Sequence, residues 1–242
     1  MLLKKEYRDN LPKDTLYRHE FKYLVDACQV ELLRHRLPEI IAADSHTDKS
    51  GVYEVRSLYF DDYDNSCYYD NENGTDPREK FRIRIYNGSD KKISLELKRK
   101  QCGKTHKRSC PLTREQTELL IAGQMLPWDD SYDPLLKKFF IWQQTRYAQP
   151  RVIVNYQRTP FVYPDGNVRI TLDTDITASV NFDRFFSKDV LGRPVMPLGR
   201  HLLEVKYDEF IPDHIFDSIQ TNKLTRTTFS KYYLCRKFGG LV

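Results

Sequence analysis

The sequence predicts a mainly β protein of the α+β class, in which an antiparallel sheet is flanked by helices. Nine short segments have the pattern of strands, and turn-forming residues at 87–90 and 164–167 connect two pairs of them. Helical patterns concentrate in two spacers, residues 26–51 and 111–150. Many strands of similar length that are joined mostly by turns are typical of a barrel or a sandwich.

The predicted strands are short, and polar and apolar side chains alternate in the best-defined ones. The segments are 19–25, 52–60, 80–86, 92–100, 105–110, 151–159, 168–173, 176–182 and 202–207. No internal repeat or Pro/Gly/Ser-rich linker interrupts them. We therefore expect a single domain over residues 1–242, with residues 1–15 as an N-terminal extension.

Capping residues indicate where the predicted helices begin. Asp26 can cap the first helix, and Thr113 with Gln116 forms a capping box for the second. Pro134 suits the first turn of a third helix. The predicted helices are 27–37, 114–122, 134–147, 212–219 and 229–236.

Length and composition exclude several classes of protein. A chain of 242 residues, of which 40% are hydrophobic, is long enough to bury a substantial core. An aromatic content of 13% is too high for a disordered chain. No stretch approaches the roughly 18 apolar residues that a membrane-spanning helix requires.

The N-terminus and the cysteines favour a location in the cytoplasm. The first residues lack the apolar core of a signal peptide. Five cysteines without a CxxC pair argue against a disulfide framework or a zinc cluster. The net charge of +5 is too small to indicate general binding of nucleic acid, so we expect no sequence-specific nucleic-acid partner.

Charged residues repeatedly share one face of a predicted strand, because alternate residues of a strand point to opposite sides. In residues 80–86, the cations Lys80, Arg82 and Arg84 lie opposite three apolar side chains. Four other strands have a polar face of the same kind. Their polar sets are Glu20 with Lys22, Glu96 with Lys98, Arg169 with Thr171 and Asp173, and Glu204 with Lys206.

Two interpretations of these charged faces remain open. They form the wet outer face of an antiparallel sheet, or they line an interior if the sheet closes around them. A lumen with many cations and few carboxylates is costly when empty. A ligand of narrow cross-section and dense negative charge would stabilise it; a chain of phosphates has that form, whereas duplex DNA is too wide. Similarly, Glu20, Glu96 and Glu204 are either ion-pair partners or ligands of a divalent cation that phosphate oxygens share.

Eight motifs, taken in order, resemble the VTC domain, the polyphosphate polymerase module of the vacuolar transporter chaperone complex. That domain belongs to the triphosphate tunnel metalloenzymes, together with the CYTH proteins. The motifs follow the order of the family, and their charged residues share the strand face that would point inward, which together make the set specific. The set covers nearly the whole chain from about Leu16. The motifs are Arg18-His19-Glu20-Phe21-Lys22-Tyr23, Arg56-Ser57-Leu58-Tyr59-Phe60-Asp61, Lys80-Phe81-Arg82-Ile83-Arg84-Ile85-Tyr86, Leu95-Glu96-Leu97-Lys98-Arg99-Lys100, Tyr156-Gln157-Arg158-Thr159, Val168-Arg169-Ile170-Thr171-Leu172-Asp173-Thr174, Leu203-Glu204-Val205-Lys206 and Phe229-Ser230-Lys231-Tyr232.

The resemblance implies a closed antiparallel β-barrel that forms a tunnel, flanked by helices. It implies transfer of the terminal phosphate of ATP to a growing polyphosphate chain, with a divalent cation, Mn²⁺ or Mg²⁺. Glu204 corresponds to the metal ligand, and Glu20 and Glu96 are further candidates. The catalytic positions are Arg82, Arg84, Lys206, Ser230 and Lys231. The phosphate-binding positions are Lys22, Arg82, Arg84, Lys98, Lys107, Tyr156, Arg158, Arg169, Lys206 and Lys231, with Lys104 as a competitor of Lys107.

Three functions stay open: a polyphosphate polymerase, a hydrolase of the same fold that acts on an inorganic or organic triphosphate, and a module that binds polyphosphate without turnover. A tunnel open at both ends would favour a polymer, and a tunnel with one closed end would favour a small triphosphate. The SPX domain and the membrane segments of the fungal proteins find no counterpart here. We therefore expect a free-standing enzyme, in which coupling to translocation would need a membrane-protein partner.

Overall fold

Ten strands form one antiparallel sheet in the computed structural model, which describes residues 17–43, 51–221 and 224–239. Their order across the sheet is β1-β10-β8-β7-β3-β4-β5-β6, with β2 against β7 and β9 against β8. The strands are β1 (His19–Asp26), β2 (Ala42–Ala43), β3 (Tyr53–Asp61), β4 (Arg78–Tyr86), β5 (Ser89–Gln101), β6 (Lys104–Pro111), β7 (Gln149–Tyr163), β8 (Val168–Ser179), β9 (Arg193–Pro194) and β10 (Arg200–Tyr207).

The two edge strands of this sheet, β1 and β6, meet next to Arg18 and Thr105. The backbones of these two residues exchange hydrogen bonds of 2.9 Å in both directions. Near this bridge, Lys98 Nζ of β5 lies 2.9 Å from Glu20 Oε2 of β1. The sheet therefore curls until its first and last strands touch, and the predicted antiparallel barrel fold, flanked by helices, is confirmed.

Six α-helices accompany the sheet in the described part of the chain. The predicted cap at Asp26 and the predicted capping box at Thr113 are present, since Asp26 accepts a hydrogen bond from Gln29 N and Thr113 accepts one from Gln116 N. No described helix is both long and apolar enough to cross a membrane. The helices are α1 (Ala27–Arg36), α2 (Ser66–Glu72), α3 (Arg114–Ile121), α4 (Pro134–Arg146), α5 (Asp213–Ile219) and α6 (Lys231–Phe238).

Two apolar clusters attach helices to the outer face of the sheet. The first joins Ile83 of β4 to Phe139 of α4, and the second joins Ile170 of β8 to Leu33 of α1; all four side chains are fully buried. Each such side chain contributes about 1.5–3 kcal/mol through burial. Because these residues point outward, their polar neighbours along each strand point into the barrel.

The C-terminal helix α6 packs against the inner face of the sheet. Tyr232 and Cys235 of this helix are buried in one cluster with Val154 of β7 and Ile176 of β8. Val154 lies on the same face of β7 as Tyr156, because the two residues are two positions apart. The interior thus has an apolar part that α6 fills and a charged part that it leaves open.

One boundary of the predicted strands is wrong. The segments 168–173 and 176–182 form a single strand, β8, that ends at Ser179, while Phe182 begins a 3₁₀ turn. Between the pairs Asn155–Thr177 and Gln157–Thr174, two residues of β8 oppose one of β7, so β8 has a β-bulge at the predicted break, where Asp175 has a φ of 54°. A bulge lets the chain bend without leaving the ladder, which is why a local irregularity does not end the strand.

Helix α2 was not predicted from the sequence, and its residues explain why. The helix has seven residues, and its N-cap residue Asn65 makes no side-chain capping hydrogen bond. Instead, Asp61 at the end of β3 accepts hydrogen bonds from the backbone N–H groups of Cys67 and Tyr68. The helix is therefore capped by Asp61, four residues before its N-cap residue, and not by the side chain of the N-cap residue itself. The predicted N-terminal extension, residues 1–15, lies outside the described residues.

Candidate functional site

A cavity of about 1850 Å³ occupies the charged part of the interior. Of the residues that the structure describes, fourteen Lys or Arg and six Asp or Glu line it. This excess of cations inside low-dielectric walls concentrates a positive potential, which attracts anions. The lining includes all the positions that the sequence assigned to phosphate binding or catalysis, namely Lys22, Arg82, Arg84, Lys98, Lys107, Tyr156, Arg158, Arg169, Lys206, Ser230 and Lys231.

Glu96 of β5 organises the first group of cations. Its Oε2 atom lies 2.6 Å from Arg82 Nη2 and 3.7 Å from Arg84 Nη1, and its Oε1 atom lies 3.0 Å from Lys107 Nζ. Lys104, the alternative to Lys107, is exposed and lies outside the cavity lining. Glu96 is buried behind these cations and is not part of the lining. It holds the two guanidinium groups next to each other in a fixed orientation.

Glu204 of β10 and Asp173 of β8 organise a second group. Asp173 accepts two hydrogen bonds of 2.7 Å from the guanidinium of Arg158, in a bidentate arrangement. Lys231 Nζ lies 2.6 Å from Asp173 Oδ2 and 2.7 Å from Glu204 Oε1. The ammonium group of Lys231 is thereby fixed between two carboxylates, both of which are buried.

Glu20 of β1 faces Glu204, and two lysines lie between the two carboxylates. Lys206 Nζ is 3.3 Å from an oxygen of Glu20 and 3.4 Å from an oxygen of Glu204. Lys22 Nζ is 3.6 Å from each carboxylate. Lys98 binds Glu20 from the other side, at 2.9 Å. Carboxylates and ammonium groups thus alternate across this part of the cavity.

The three glutamates stay ionised at neutral pH. Burial opposes the charge of each, but the surrounding cations outweigh burial and hold the pKa of each carboxyl well below its usual value. For Glu20 the cations are Lys22, Lys98 and Lys206. The carboxylates balance only part of the positive charge around them. The cations that they leave unbalanced can therefore bind phosphate groups.

The donor set fits a divalent cation that arrives with a phosphate substrate. Among the described residues, no three His, Cys, Asp or Glu side chains are grouped as an all-protein metal site. Mg²⁺ and similar hard ions usually bind one or two carboxylates together with substrate phosphates. Glu204, with Glu20 across from it, offers such a pair inside the cavity.

Comparisons with known proteins identify the family. The sequence profile of the VTC domain matches residues 17–238. This chain belongs to the VTC domain family. No curated protein is similar to it in sequence. The matched range contains every site residue assigned from the sequence, so the resemblance noted from the motifs is confirmed.

One solved structure shows the same fold as this VTC domain, and a second has a lower similarity. A proposed adenylyl cyclase from Hippeastrum, described as having a dominant triphosphatase activity, is similar with a TM-score of 0.51 and 14% identity over 92% of this chain and 96% of that chain. A proposed adenylate cyclase from Bacillus halodurans is similar with a TM-score of 0.48 and 15% identity over 84% and 87% of the two chains. At 14% identity, the similarity to the Hippeastrum protein indicates a common tunnel fold and says nothing about the substrate.

In this VTC domain, helix α6 carries two of the predicted catalytic residues into the cavity. Ser230 is the N-cap, whose hydroxyl accepts a hydrogen bond from Tyr233 N, and Lys231 is the first helical residue. Tyr232 donates a hydrogen bond to the buried Asp61, and Arg236 donates one of 2.8 Å to the Tyr232 hydroxyl. These buried contacts hold the helix start at the cavity wall.

Two residues that contact predicted catalytic side chains were given no role from the sequence. Asp173 was placed on an inward face but was given no role, although it binds both Arg158 and Lys231. Lys80 shares a face with Arg82, and its ammonium donates hydrogen bonds to Asn71 Oδ1 at 2.8 Å and to Ser230 Oγ at 3.2 Å. Strand parity was the signal that could have identified Lys80.

We expect tripolyphosphate binding to take up protons near neutral pH. Burial lowers the pKa of Lys98 and of Lys80 to about 7, so part of their charge is absent in the free domain. A bound anion favours the ammonium form and raises both pKa values. Affinity should therefore fall as the pH rises above about 7. Calorimetric titration in two buffers with different enthalpies of ionisation measures the protons taken up.

The doubly substituted variant Lys80→Met/Lys98→Met provides the comparison for this measurement. Protonation of the ligand itself contributes equally with either protein, so the difference reports the two lysines. The variant should take up fewer protons per ligand bound. Equal uptake by the two proteins would show that neither lysine changes its charge on binding.

Proposed function

We propose that this VTC domain is a polyphosphate polymerase, which transfers the terminal phosphate of ATP to a growing chain of inorganic polyphosphate with the help of Mn²⁺ or Mg²⁺. The size and charge of the cavity carry this proposal. About 1850 Å³ is well above the roughly 300–1,000 Å³ of most small-molecule pockets, and fourteen cations from the described part of the chain line it. Such a space accommodates a chain of phosphates beside a nucleotide.

Phosphoryl transfer requires alignment of the reactants and positive charge around the transferred group. Arg82, Arg84 and Arg158 would grip phosphate oxygens through their planar guanidinium groups. Lys206 and Lys231 would supply further charge. The bond between the γ-phosphorus and the β–γ bridging oxygen breaks, a bond to the terminal oxygen of the chain forms, and ADP leaves. The acceptor is already an anion, so no Ser–His or Cys–His nucleophile is required.

Glu204, assisted by Glu20, would hold the divalent cation, and Glu96 would orient Arg82 and Arg84. When bound, such a cation withdraws negative charge from the phosphate oxygens. Ser230 and Lys231 at the start of α6 would close over the nucleotide phosphates. Tyr156 would line the path of the phosphate chain beside Lys231, whose Nζ atom lies 4.8 Å from the centre of the Tyr156 ring.

The proposal assigns the reaction to a single domain over residues 1–242. We place it in the cytoplasm, where ATP is available. The substrates are ATP and inorganic polyphosphate or triphosphate, and we propose no sequence-specific nucleic-acid partner. Transport of the product across a membrane would be the task of a separate membrane protein.

A triphosphatase is the second candidate, and the position of α6 favours it. The apolar cluster around Tyr232 and Cys235 fills part of the interior, which shortens the path that a polymer could follow. The same cations would then hold an inorganic or organic triphosphate while water accepts the phosphate. The two reactions differ only in the acceptor.

One assay separates these candidates. The purified protein is incubated with ATP and Mn²⁺, with EDTA as the control; the products are resolved on a gel stained for polyphosphate, and free phosphate is measured in parallel. We expect long chains and ADP with the metal and neither with EDTA. Free phosphate without chains would establish a triphosphatase instead. Bound ATP without any product would indicate a binding module.

A further inference from the structure

Three cations on one side of the cavity have no carboxylate partner. Arg78 and Lys80 of β4 and Lys100 of β5 line the cavity. Among the described residues, no Asp or Glu oxygen lies within 4.0 Å of their charged nitrogens. The cations of the central groups differ, because Glu96, Glu20, Glu204 and Asp173 bind them.

These three residues continue the row of phosphate-binding cations. Arg78 lies opposite Lys100 in the ladder, and Lys80 lies opposite Lys98. Residues on one face of a strand are about 7 Å apart, so the row from Arg78 to Arg84 extends over about 20 Å. A triphosphate bound at Arg82 and Arg84 covers only part of this length.

Among the described residues, the charge of this side is balanced only by carboxylates at longer range, Asp61 for Lys80 and Glu20 with Asp76 for Lys100. Burial lowers the pKa of Lys80 and of Lys100, and the neighbouring cations Arg78 and Lys22 lower both further. Lys80 is held by the neutral oxygens of Asn71 and Ser230 instead of a carboxylate. Partly buried cations without a close counter-ion destabilise the empty protein, and an anion along this row would remove that cost.

We propose that Arg78, Lys80 and Lys100 form a separate subsite that binds the part of a polyphosphate chain beyond the reacting phosphates. The subsite extends the central cations and has no carboxylates of its own, so it binds phosphate without a metal ion. It favours long inorganic chains over triphosphate, because only a long chain reaches both the central cations and the three cations of the subsite. This inference rests on the proposed function for its ligand, but its claim concerns chain length and binding.

Binding measurements without ATP or metal test the subsite. Affinities for tripolyphosphate and for size-fractionated long-chain polyphosphate are measured with the parent protein and the variants Arg78→Gln, Lys80→Met and Lys100→Met. Each substitution should weaken long-chain binding about tenfold, as expected for loss of one charged hydrogen bond. Binding of tripolyphosphate should stay unchanged in the Arg78→Gln and Lys100→Met variants. Neither residue makes a described contact with α6, where Ser230 and Lys231 lie.

The matched control is Lys91→Met. Lys91 lies on the same strand as Lys100, is exposed and is outside the cavity lining, so this variant removes the same charge and should leave both affinities unchanged. Thermal unfolding with and without long-chain polyphosphate gives a second readout, in which Arg78→Gln and Lys100→Met should reduce the stabilisation by the ligand.

Three results would overturn the subsite. The first is an equal loss of affinity for tripolyphosphate and for long chains in Arg78→Gln and Lys100→Met. The second is unchanged long-chain affinity in these two variants, and the third is competition by a single-stranded oligonucleotide as effective as that by polyphosphate. Because these assays use no ATP, a domain that makes no polymer can still show the chain-length effect. Failure of the polymerase assignment and failure of the subsite are therefore distinguishable.

Discussion

Replacement of Glu204 by Gln is expected to lower metal-dependent release of ADP from ATP by at least about a hundredfold, since even groups behind a metal ligand are worth about 10–100-fold. Glu204 faces the cavity among Lys22, Lys206, Lys231 and Arg158, which hold the pKa of its buried carboxyl well below the usual value. The amide keeps the shape but loses the charge that a divalent cation needs. Steady-state ADP release over a Mn²⁺ titration measures the effect.

Phosphate binding without metal provides the internal control for Glu204→Gln. Removal of a negative charge from this group of cations should leave the metal-free affinity for tripolyphosphate equal or higher. Glu118→Gln, on the exposed face of α3, is the matched control and should retain full activity. Full Mn²⁺-dependent activity in Glu204→Gln would remove this residue from the mechanism.

Replacement of Arg82 by Met is expected to reduce kcat/KM by about 10–150-fold, which corresponds to about 1.5–3 kcal/mol for a lost charged hydrogen bond. Arg82 is buried, and its Nη1 atom donates a hydrogen bond of 2.7 Å to the Tyr59 hydroxyl. These contacts aim the guanidinium into the cavity, so its loss should weaken the binding of phosphate and the transition state together. Steady-state kinetics and direct binding of tripolyphosphate measure the two effects.

A double substitution separates catalysis from stability at this position. Arg82→Met leaves the buried Glu96 with Arg84 and Lys107 only, so the free energy of unfolding should fall by about 2 kcal/mol, less than for a carboxylate that loses its sole partner. Adding Glu96→Gln leaves Arg84 and Lys107 without a described carboxylate partner, so it should lower the stability further while leaving the metal-free affinity for phosphate no lower than in Arg82→Met. If Arg82→Met binds phosphate as well as the parent protein, Arg82 does not contact the substrate.

The alternation of residues within single strands predicted correctly which side chains share the face that lines the cavity. Phe81 and Ile83 point into the outer apolar cluster, and Arg82 between them points into the cavity. This assignment needs only the two-residue period of a strand, which does not depend on the position of the other strands. The capping box at Thr113 was equally predictable, because its partner is three residues away.

Contacts between residues distant in sequence could not be predicted in this way. Asp61, which caps the backbone of helix α2, accepts a hydrogen bond from Tyr232 of α6, and β8 stays continuous because its two bulge residues, Asp175 and Ile176, lie opposite Tyr156 of β7. Neither feature has a local pattern that distinguishes it from a loop or a strand end. Lys107 rather than Lys104 enters the cavity because the register between β5 and β6 places it beside Lys98.

The sequence by itself determined the strand-rich class, the charged residues that share one face of a strand, and the family. Only the tertiary structure decided which carboxylate meets which cation, as in the contact of Lys231 with Asp173 and of Lys98 with Glu20. The first contact requires α6 to pack inside the barrel, and the second requires β1 to meet the far edge of the sheet. Parity is a property of one strand, whereas charge balance depends on distances that exist only after the sheet has curled.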